Sequence, residues 1–217
     1  MSGRMALRVA RTRGDVLQCQ YLIAEVYNKE YEVVFSDDSY DLDAKVEPWP
    51  HRYLMGLVDD QLVCCMGLYV RQTYVERFGN VSDEEIDALI RESGGSPRFA
   101  AARKREITKL SVRPDQRGHG YGGFMLGASM ARDFLQVDGA PDEPHILVAC
   151  SKRSLWDVLW HPAGIRTRVI KPFPIYKVHE RYSSPQDPMD SRLVVPELDI
   201  PPRWYDRPIP GEYEVER

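Results

Sequence analysis

Residues 110–124, LSVRPDQRGHGYGGF, restrict the fold of this chain more than any other stretch. An apolar, strand-like run leads into four glycines within six residues, and a helix-like segment follows them. Glycine lets a backbone approach a ligand closely, and the amides of such a turn point at one spot with a helix N-terminus behind them. The stretch therefore predicts a strand–turn–helix unit of an α/β protein that holds a phosphate group.

Length and composition fit one soluble globular domain. The chain has 217 residues, of which 43% are hydrophobic and 29% are charged, and this is enough to bury a core without cross-links. Its formal net charge of −4 gives no reason to expect a nucleic-acid partner. Arginines near the start interrupt any signal-peptide pattern, and no apolar run is long enough to span a bilayer. A cytoplasmic location is therefore expected.

The cysteines, Cys19, Cys64, Cys65 and Cys150, do not form a CxxC pair. Neighbouring residues of a strand point to opposite faces, so Cys64 and Cys65 are expected on different sides of a sheet. We therefore expect buried thiols in a reducing compartment, with neither a disulfide framework nor a metal site.

Hydrophobic periodicity predicts a succession of strands and helices along most of the chain. The first helix is expected to place Leu17, Tyr21, Ala24, Val26 and Tyr27 near one face. Residues 1–182 are predicted to form the domain, and 183–217, with seven of the sixteen prolines, an extended tail that wraps the domain or is partly disordered. The predicted strands are 6–13, 51–60, 61–72, 106–113, 145–150 and 165–178, and the predicted helices are 14–31, 81–93, 120–136 and 151–164.

Two familiar phosphate-binding motifs fit the turn less well. A Walker A loop, GxxxxGK[ST], has no match there. The dinucleotide pattern GxGxxG does match residues 118–123, GHGYGG. In that fold the turn follows the first strand, whereas here it lies past the middle of the chain. A nicotinamide-dependent reductase is therefore kept as an alternative.

The pattern [RQ]xxGx[GA], spelt by residues 117–122 and preceded by LSVRPD, resembles the acyl-CoA pyrophosphate loop of the GNAT superfamily of N-acyltransferases. The order of predicted elements over about residues 6–178 is similar as well. The resemblance implies a mixed, mostly antiparallel central sheet flanked by helices and splayed between the fourth and fifth strands. It also implies transfer of an acyl group from acyl-CoA, or from acyl carrier protein, to a primary amine by direct attack.

The resemblance further implies which residues bind the donor. Backbone groups of Leu110, Ser111 and Val112 would pair with the pantetheine arm, and the Val112 amide or one beside it would stabilise the oxyanion. Ser151 would hydrogen-bond the pantetheine, although it could instead cap its own helix. The diphosphate would be bound by the amides of Arg117, Gly118, His119, Gly120, Tyr121 and Gly122.

The acid and base are less completely defined by this pattern. Glu106, at the predicted strand EITKLSV, would act as the general base through one water if burial raises its pKa; otherwise it is a strand-end partner of Lys104 or Lys109. The tyrosine that often serves as acid is replaced by Trp160, whose indole is only a donor. The thiolate then leaves unaided, or His161 or Tyr176 protonates it. A non-catalytic acyl-CoA-binding module is the alternative function.

The front half of the chain resembles the acyl-homoserine-lactone synthases and the N-acyl amino acid synthases. Their acidic stretch and hairpin match residues 33–72, although Leu68-Tyr69 stands where that branch tends to have Arg-Leu. Asp38, Asp41 and Asp43 would hold the cation of the acceptor, or they form a solvated loop. The expected partners are a small-molecule, amino acid or peptide amine and, with some donors, acyl carrier protein; a homodimer is left open.

Overall fold

The computed structural model describes residues 3–37, 45–70, 103–129, 145–162, 167–172, 189–194 and 212–215, and also residues 84, 85, 88 and 92. Its helices are α1 (Arg13–Tyr31), α2 (Tyr121–Ala128) and α3 (Arg153–Leu155), which continues as a π-helical turn (Trp156–Trp160). Its strands are β1 (Gly3–Val9), β2 (Val34–Ser36), β3 (Val46–Pro48), β4 (Arg52–Val58), β5 (Gln61–Tyr69), β6 (Arg103–Val112), β7 (His145–Lys152), β8 (Thr167–Pro172), β9 (Met189–Val194) and β10 (Glu212–Val215).

Eight of these strands form the central sheet, in the order β10-β1-β4-β5-β6-β7-β9-β8. Every neighbouring pair in it is antiparallel except β6 and β7, which run parallel. The remaining strands, β2 and β3, form a separate parallel pair. The predicted mixed, mostly antiparallel α/β fold is therefore confirmed.

Helix α1 packs on one face of the sheet through a stripe that differs from the predicted one. Its buried residues are Asp15, Cys19, Leu22, Ile23 and Val26. Val26 of the predicted face is buried, but Leu17 and Tyr21 are 40% and 73% exposed, so that part of the predicted face was wrong. The buried face differs from the predicted one because Asp15 anchors the helix from a buried position. The Asp15 carboxylate accepts hydrogen bonds from the Arg8 guanidinium at 2.7 and 2.8 Å.

Asp15 also organises the start of α1. Its carboxylate accepts from the backbone amides of Arg11 and Thr12, and the Thr12 hydroxyl accepts from the Asp15 amide, which makes a capping box. The hydrogen bonds from Arg8 hold the pKa of Asp15 well below its usual range. One carboxylate therefore joins β1 to the first turn of α1.

Replacing this carboxylate is expected to destabilise the fold. We expect Asp15→Asn to lower the free energy of unfolding by about 2 kcal/mol, because hydrogen bonds to a charged group are lost. That corresponds to a melting temperature lower by about 4 to 8 °C in a domain of this size. The low folded-state pKa means that the contribution is present above about pH 4 and is lost as the pH falls further. Thermal melts from pH 7 to pH 3 should show the gap between the two proteins begin to narrow below about pH 4; a constant gap would contradict the prediction.

The predicted strands 51–60 and 61–72 form a hairpin of β4 and β5, with Asp59 and Asp60 at its turn. Both turn residues have positive φ, 49° and 60°, which is the backbone of a two-residue type I′ turn. Cys64 packs in the core between the sheet and helices α2 and α3, and Cys65 packs in the core beneath α1. The expectation that the adjacent thiols lie on opposite faces is confirmed, and burial raises the pKa of Cys64 to about 12.

Two strands come from the segment after residue 183. Strand β9 lies between β7 and β8 and pairs with both, while β10 pairs with the outer edge of β1. The predicted helices 81–93 and 120–136 are described only in part: positions 84, 85, 88 and 92 are helical, and α2 covers Tyr121–Ala128. None of the described helices has the length and apolar character needed to cross a membrane.

Candidate functional site

Strands β6 and β7, the predicted fourth and fifth strands, separate along their length. They pair in parallel from Arg103 and His145 only as far as Glu106 and Val148. Beyond that point β6 remains bonded to β5 up to Val112, while β7 remains bonded to β9. The edge of β6 that faces β7 is therefore not part of this ladder from residue 107 onward, and the splay expected in the sheet is present.

A cavity of about 440 Å³ occupies this gap. It reaches both faces of the sheet, since its walls include residues of α1 as well as residues of α2 and α3. The wall towards α1 carries polar groups, among them Tyr27, Tyr31, Glu106 and Lys109. The opposite wall is apolar and includes Ile107, Leu110, Val112, Leu126, Leu159 and Trp160.

The glycine-rich turn borders this cavity. Gly118 and Gly120 have φ of 85° and 78°, in the left-handed region that favours glycine. A Cβ at either position would meet no atom within 4 Å, so the backbone angle and not a lack of space requires glycine. Gly120 is the N-cap of α2, and no side chain caps this helix end. The first amides of α2 thus form a group of donors that can receive an anion.

The other turn residues divide between cavity wall and surface. Arg117 and Gly122 line the cavity, and the Arg117 guanidinium forms an ion pair with Glu30 at the end of α1. His119 is exposed, and its ring centroid lies 5.8 Å from that of the buried Tyr121. Arg117 therefore joins the turn to α1 through its ion pair with Glu30.

A β-bulge in β6 decides which side chains face α1. Cross-strand partners share a face of the sheet. Cys65 pairs with Ser111 and Gly67 pairs with Thr108, so residues 109 and 110 of β6 both lie opposite one residue of β5, Met66. Lys109, one of these two, has a φ of 53°, in the left-handed region. The extra residue reverses the alternation, so Lys109 joins Glu106 and Thr108 on the α1 side.

Lys109 is a buried cation on the wall of the cavity. It is 5% exposed, and its ammonium forms an ion pair with the buried carboxylate of Glu47 in β3. The same ammonium lies 4.7 Å from the ring centroid of Tyr27 and 5.5 Å from that of Phe35. Burial raises the pKa of Tyr27 well above its ordinary value, so this ring stays neutral beside the cation. Sequence reasoning missed the Lys109–Glu47 pair.

Glu106 lies inside β6 rather than at its end, because the strand begins at Arg103. The description of it as a strand-end residue was therefore wrong. It is 1% exposed, it lines the cavity, and it lies opposite Tyr69 of β5. The Tyr69 hydroxyl donates to the Pro48 carbonyl at 2.8 Å, which ties this part of the sheet to β3. A buried carboxylate in a cleft is a candidate for proton transfer.

The residues predicted near the leaving thiol are not all brought together. Trp160 lines the cavity and packs on Trp156, with ring centroids 4.5 Å apart. His161 is exposed, lies 3.3 Å from the Asp157 carboxylate through Nδ1, and does not line the cavity. Ser151 lines the cavity within β7. The N-cap of α3 is Lys152, without a side-chain cap, so the alternative in which Ser151 caps that helix was wrong.

The remaining predicted site residues lie outside the described part of the chain. They are Tyr176 and the three aspartates of the acidic stretch, Asp38, Asp41 and Asp43. Their roles stay sequence predictions.

Compared as a sequence, the chain matches no protein-family model and no curated protein. Compared as a structure, it is similar to BjaI, a CoA-dependent acyl-homoserine lactone synthase solved with SAM and isopentyl-CoA, at a TM-score of 0.54 and 16% identity over 93% of this chain and 86% of that one. It is similar to FeeM, an N-acyl amino acid synthase from uncultured soil microbes, at a TM-score of 0.52 and 12% identity over 90% and 92%. It is similar to the AHL synthase LasI at a TM-score of 0.51 and 16% identity, over 88% of this chain and 89% of that one. The splayed sheet, the glycine turn and these overlaps show that the chain has the fold of the GNAT-type N-acyltransferases.

Proposed function

We propose that this protein is an N-acyltransferase that moves an acyl group from coenzyme A, or from the phosphopantetheine of acyl carrier protein, to a primary amine. The observation that carries the proposal is the cavity between β6 and β7. Arg117 and Gly122 of the glycine turn, whose amides can receive an anion, line it together with the buried carboxylate of Glu106. A thioester and a base can thus meet in one cavity.

The donor would be bound mainly by backbone groups. The turn amides from Arg117 to Gly122 would receive the diphosphate, with the N-terminus of α2 behind them. The pantetheine would extend β6 at Leu110, Ser111 and Val112, on the edge that leaves the β7 ladder at Glu106. Ser151, on the facing strand, would donate a hydrogen bond to the same arm. Donor binding then needs no charged side chain deep in the protein.

The reaction would be a direct attack within a ternary complex. The amine nitrogen forms a bond to the thioester carbonyl carbon, the carbonyl oxygen becomes an oxyanion stabilised by an amide at or near Val112, and the C–S bond then breaks. Glu106 would take the proton that the nitrogen loses, through one water. The products are an amide and a free thiol, and no covalent enzyme intermediate is formed.

Departure of the thiolate does not depend on Trp160. A thiol titrates near a pKa of about 8.5, so its anion is a good leaving group and can take a proton from solvent. His161 and Tyr176 are the side chains that we keep as candidate acids. His161 would have to leave its contact with Asp157 to reach the cavity.

Acceptor recognition would involve the connection between β2 and β3, which carries Asp38, Asp41 and Asp43. Carboxylates there would attract the ammonium form of the acceptor before Glu106 removes its proton. The acyl-homoserine-lactone synthase BjaI and the N-acyl amino acid synthase FeeM share the fold. This likeness supports a small-molecule amine as the acceptor.

The decisive experiment measures thiol release from acetyl-CoA and from longer acyl-CoAs in the presence of a panel of primary amines. We expect release that depends on the amine and an amide product of the corresponding mass. Coenzyme A binding without turnover for any amine would favour the non-catalytic module, for which Trp160 at the acid position is the supporting observation. Binding of a nicotinamide cofactor in place of coenzyme A would contradict both.

A further inference from the structure

The cavity contains a cation that the donor does not need. Lys109 is nine-tenths buried or more, and removing an ammonium from water costs several kcal/mol even after a protein has relaxed around it. Its backbone also adopts a left-handed angle that costs a residue other than glycine on the order of 1 kcal/mol or more. A charge and a strained bulge on one cavity wall are typical of a functional position.

Of the Lys109–Glu47 pair, the cationic residue is the one that lines the cavity. Glu47, its partner, is buried in β3 and does not line the cavity, whereas Lys109 does. The rings of Tyr27 and Phe35 face the ammonium from α1 and β2. A ligand in the cavity therefore borders the cationic residue of this pair and not its carboxylate.

The other cationic residues that line the cavity belong to the turn and to β7, where the donor is proposed to bind. Arg117 belongs to the glycine turn and pairs with Glu30. Lys152 follows Ser151 in β7, and its ammonium lies 6.0 Å from the Tyr31 ring centroid. Lys109 is instead on the same strand and the same face as Glu106, three residues away. At about 3.3 Å per residue their backbones are no more than about 10 Å apart, a span that two long side chains can close around a small molecule.

We infer that Lys109 anchors a carboxylate of the acceptor while its amine faces Glu106, so the acceptor is a free amino acid rather than a plain alkylamine or a lysine side chain of a protein. The inference rests on the proposed acyltransferase function. An ammonium has three N–H donors, so it can bind a ligand carboxylate and Glu47 together. A plain amine would leave the cation without this contact and would be held at one end only.

The test uses matched acceptors on the unaltered protein. Each of the twenty common amino acids is assayed by thiol release; the best is then compared with its methyl ester and with its decarboxylated amine. The ester amine is less basic than that of the amino acid and the decarboxylated amine is more basic, so a preference over both cannot come from amine basicity. We expect kcat/KM for the amino acid to be at least about tenfold higher, mainly through KM, as for a hydrogen bond between charged groups.

Variants assign the preference to Lys109. Lys109→Met combined with Glu47→Gln removes both charges without leaving a buried carboxylate alone, and it is expected to abolish the preference while coenzyme A affinity stays within about twofold. Lys109→Arg keeps the charge and is expected to restore most of the preference. A double variant that still prefers the amino acid would overturn the assignment.

A binding measurement separates this inference from the proposed function. Calorimetry of the best amino acid with the coenzyme A-loaded protein needs no turnover. Amino acid binding that the double variant loses would support the anchor even if no amine were acylated. Equal turnover of the amino acid and its decarboxylated amine would overturn the anchor and leave acyl transfer standing. The absence of both amino acid binding and an amino acid preference would also overturn the anchor.

Discussion

Gly120→Glu is expected to weaken coenzyme A binding by at least about a hundredfold. At a φ of 78° a side chain strains the backbone by about 1 to 2 kcal/mol, and the new carboxylate would lie against the phosphates at the N-terminus of α2. The substituted side chain meets open space, since a Cβ there has no neighbour within 4 Å. The protein should therefore remain folded, and calorimetric titration with coenzyme A would report the loss of affinity directly.

Two control variants separate the causes of this loss. Gly120→Ala carries the backbone strain without the charge, and we expect a loss of about tenfold. Gly127→Glu adds the same carboxylate to the same helix, also with open space around a Cβ, but further from the turn, and we expect little change. Unchanged affinity in Gly120→Glu would mean that the nucleotide does not bind at this turn.

Glu106→Gln is expected to lower turnover by about 10²- to 10⁴-fold, the usual range for loss of a general base. Glutamine keeps the size of the side chain and its capacity to accept a hydrogen bond, so coenzyme A affinity should be retained. The loss should be greatest at low pH, where the amine is protonated and needs a base, and smaller at high pH, where solvent supplies free amine. Steady-state rates from pH 6 to pH 10 would test this.

Glu25→Gln is a suitable control for that experiment, because it removes an exposed carboxylate from α1 that does not line the cavity. We expect its pH profile to match that of the unaltered protein. If Glu106→Gln also kept the original profile, Glu106 would not be the base, and the cavity would have to supply another proton acceptor.

Local sequence patterns were sufficient for the features that depend on neighbouring residues. The run LSVRPDQRGHGYGGF predicted the turn, because left-handed angles at Gly118 and Gly120 are a property of residue type. The aspartates of the hairpin turn and the opposite orientation of Cys64 and Cys65 follow from equally local rules.

Features that depend on distant contacts were not predictable in this way. Lys109 and Glu47 are 62 residues apart, and nothing in EITKLSV reveals the bulge that turns Lys109 towards α1. The buried face of α1 was misjudged because the contact of Asp15 with Arg8 outweighs the apolar pattern that includes Tyr21. Strand β9 pairs within the sheet although its sequence, MDSRLV, has little apolar periodicity.

The bulge in β6 gives this strand two independent sets of side chains. Ile107, Leu110 and Val112 pack towards α2 and α3, whereas Glu106 and Lys109 are turned towards α1. If acyl chain and amine lie on these opposite sides, mutations along one strand can change the range of acyl donors without changing the range of amines, and the reverse. Directed evolution of an acyltransferase with this strand could then treat the two selectivities as separate traits, each with its own short list of positions.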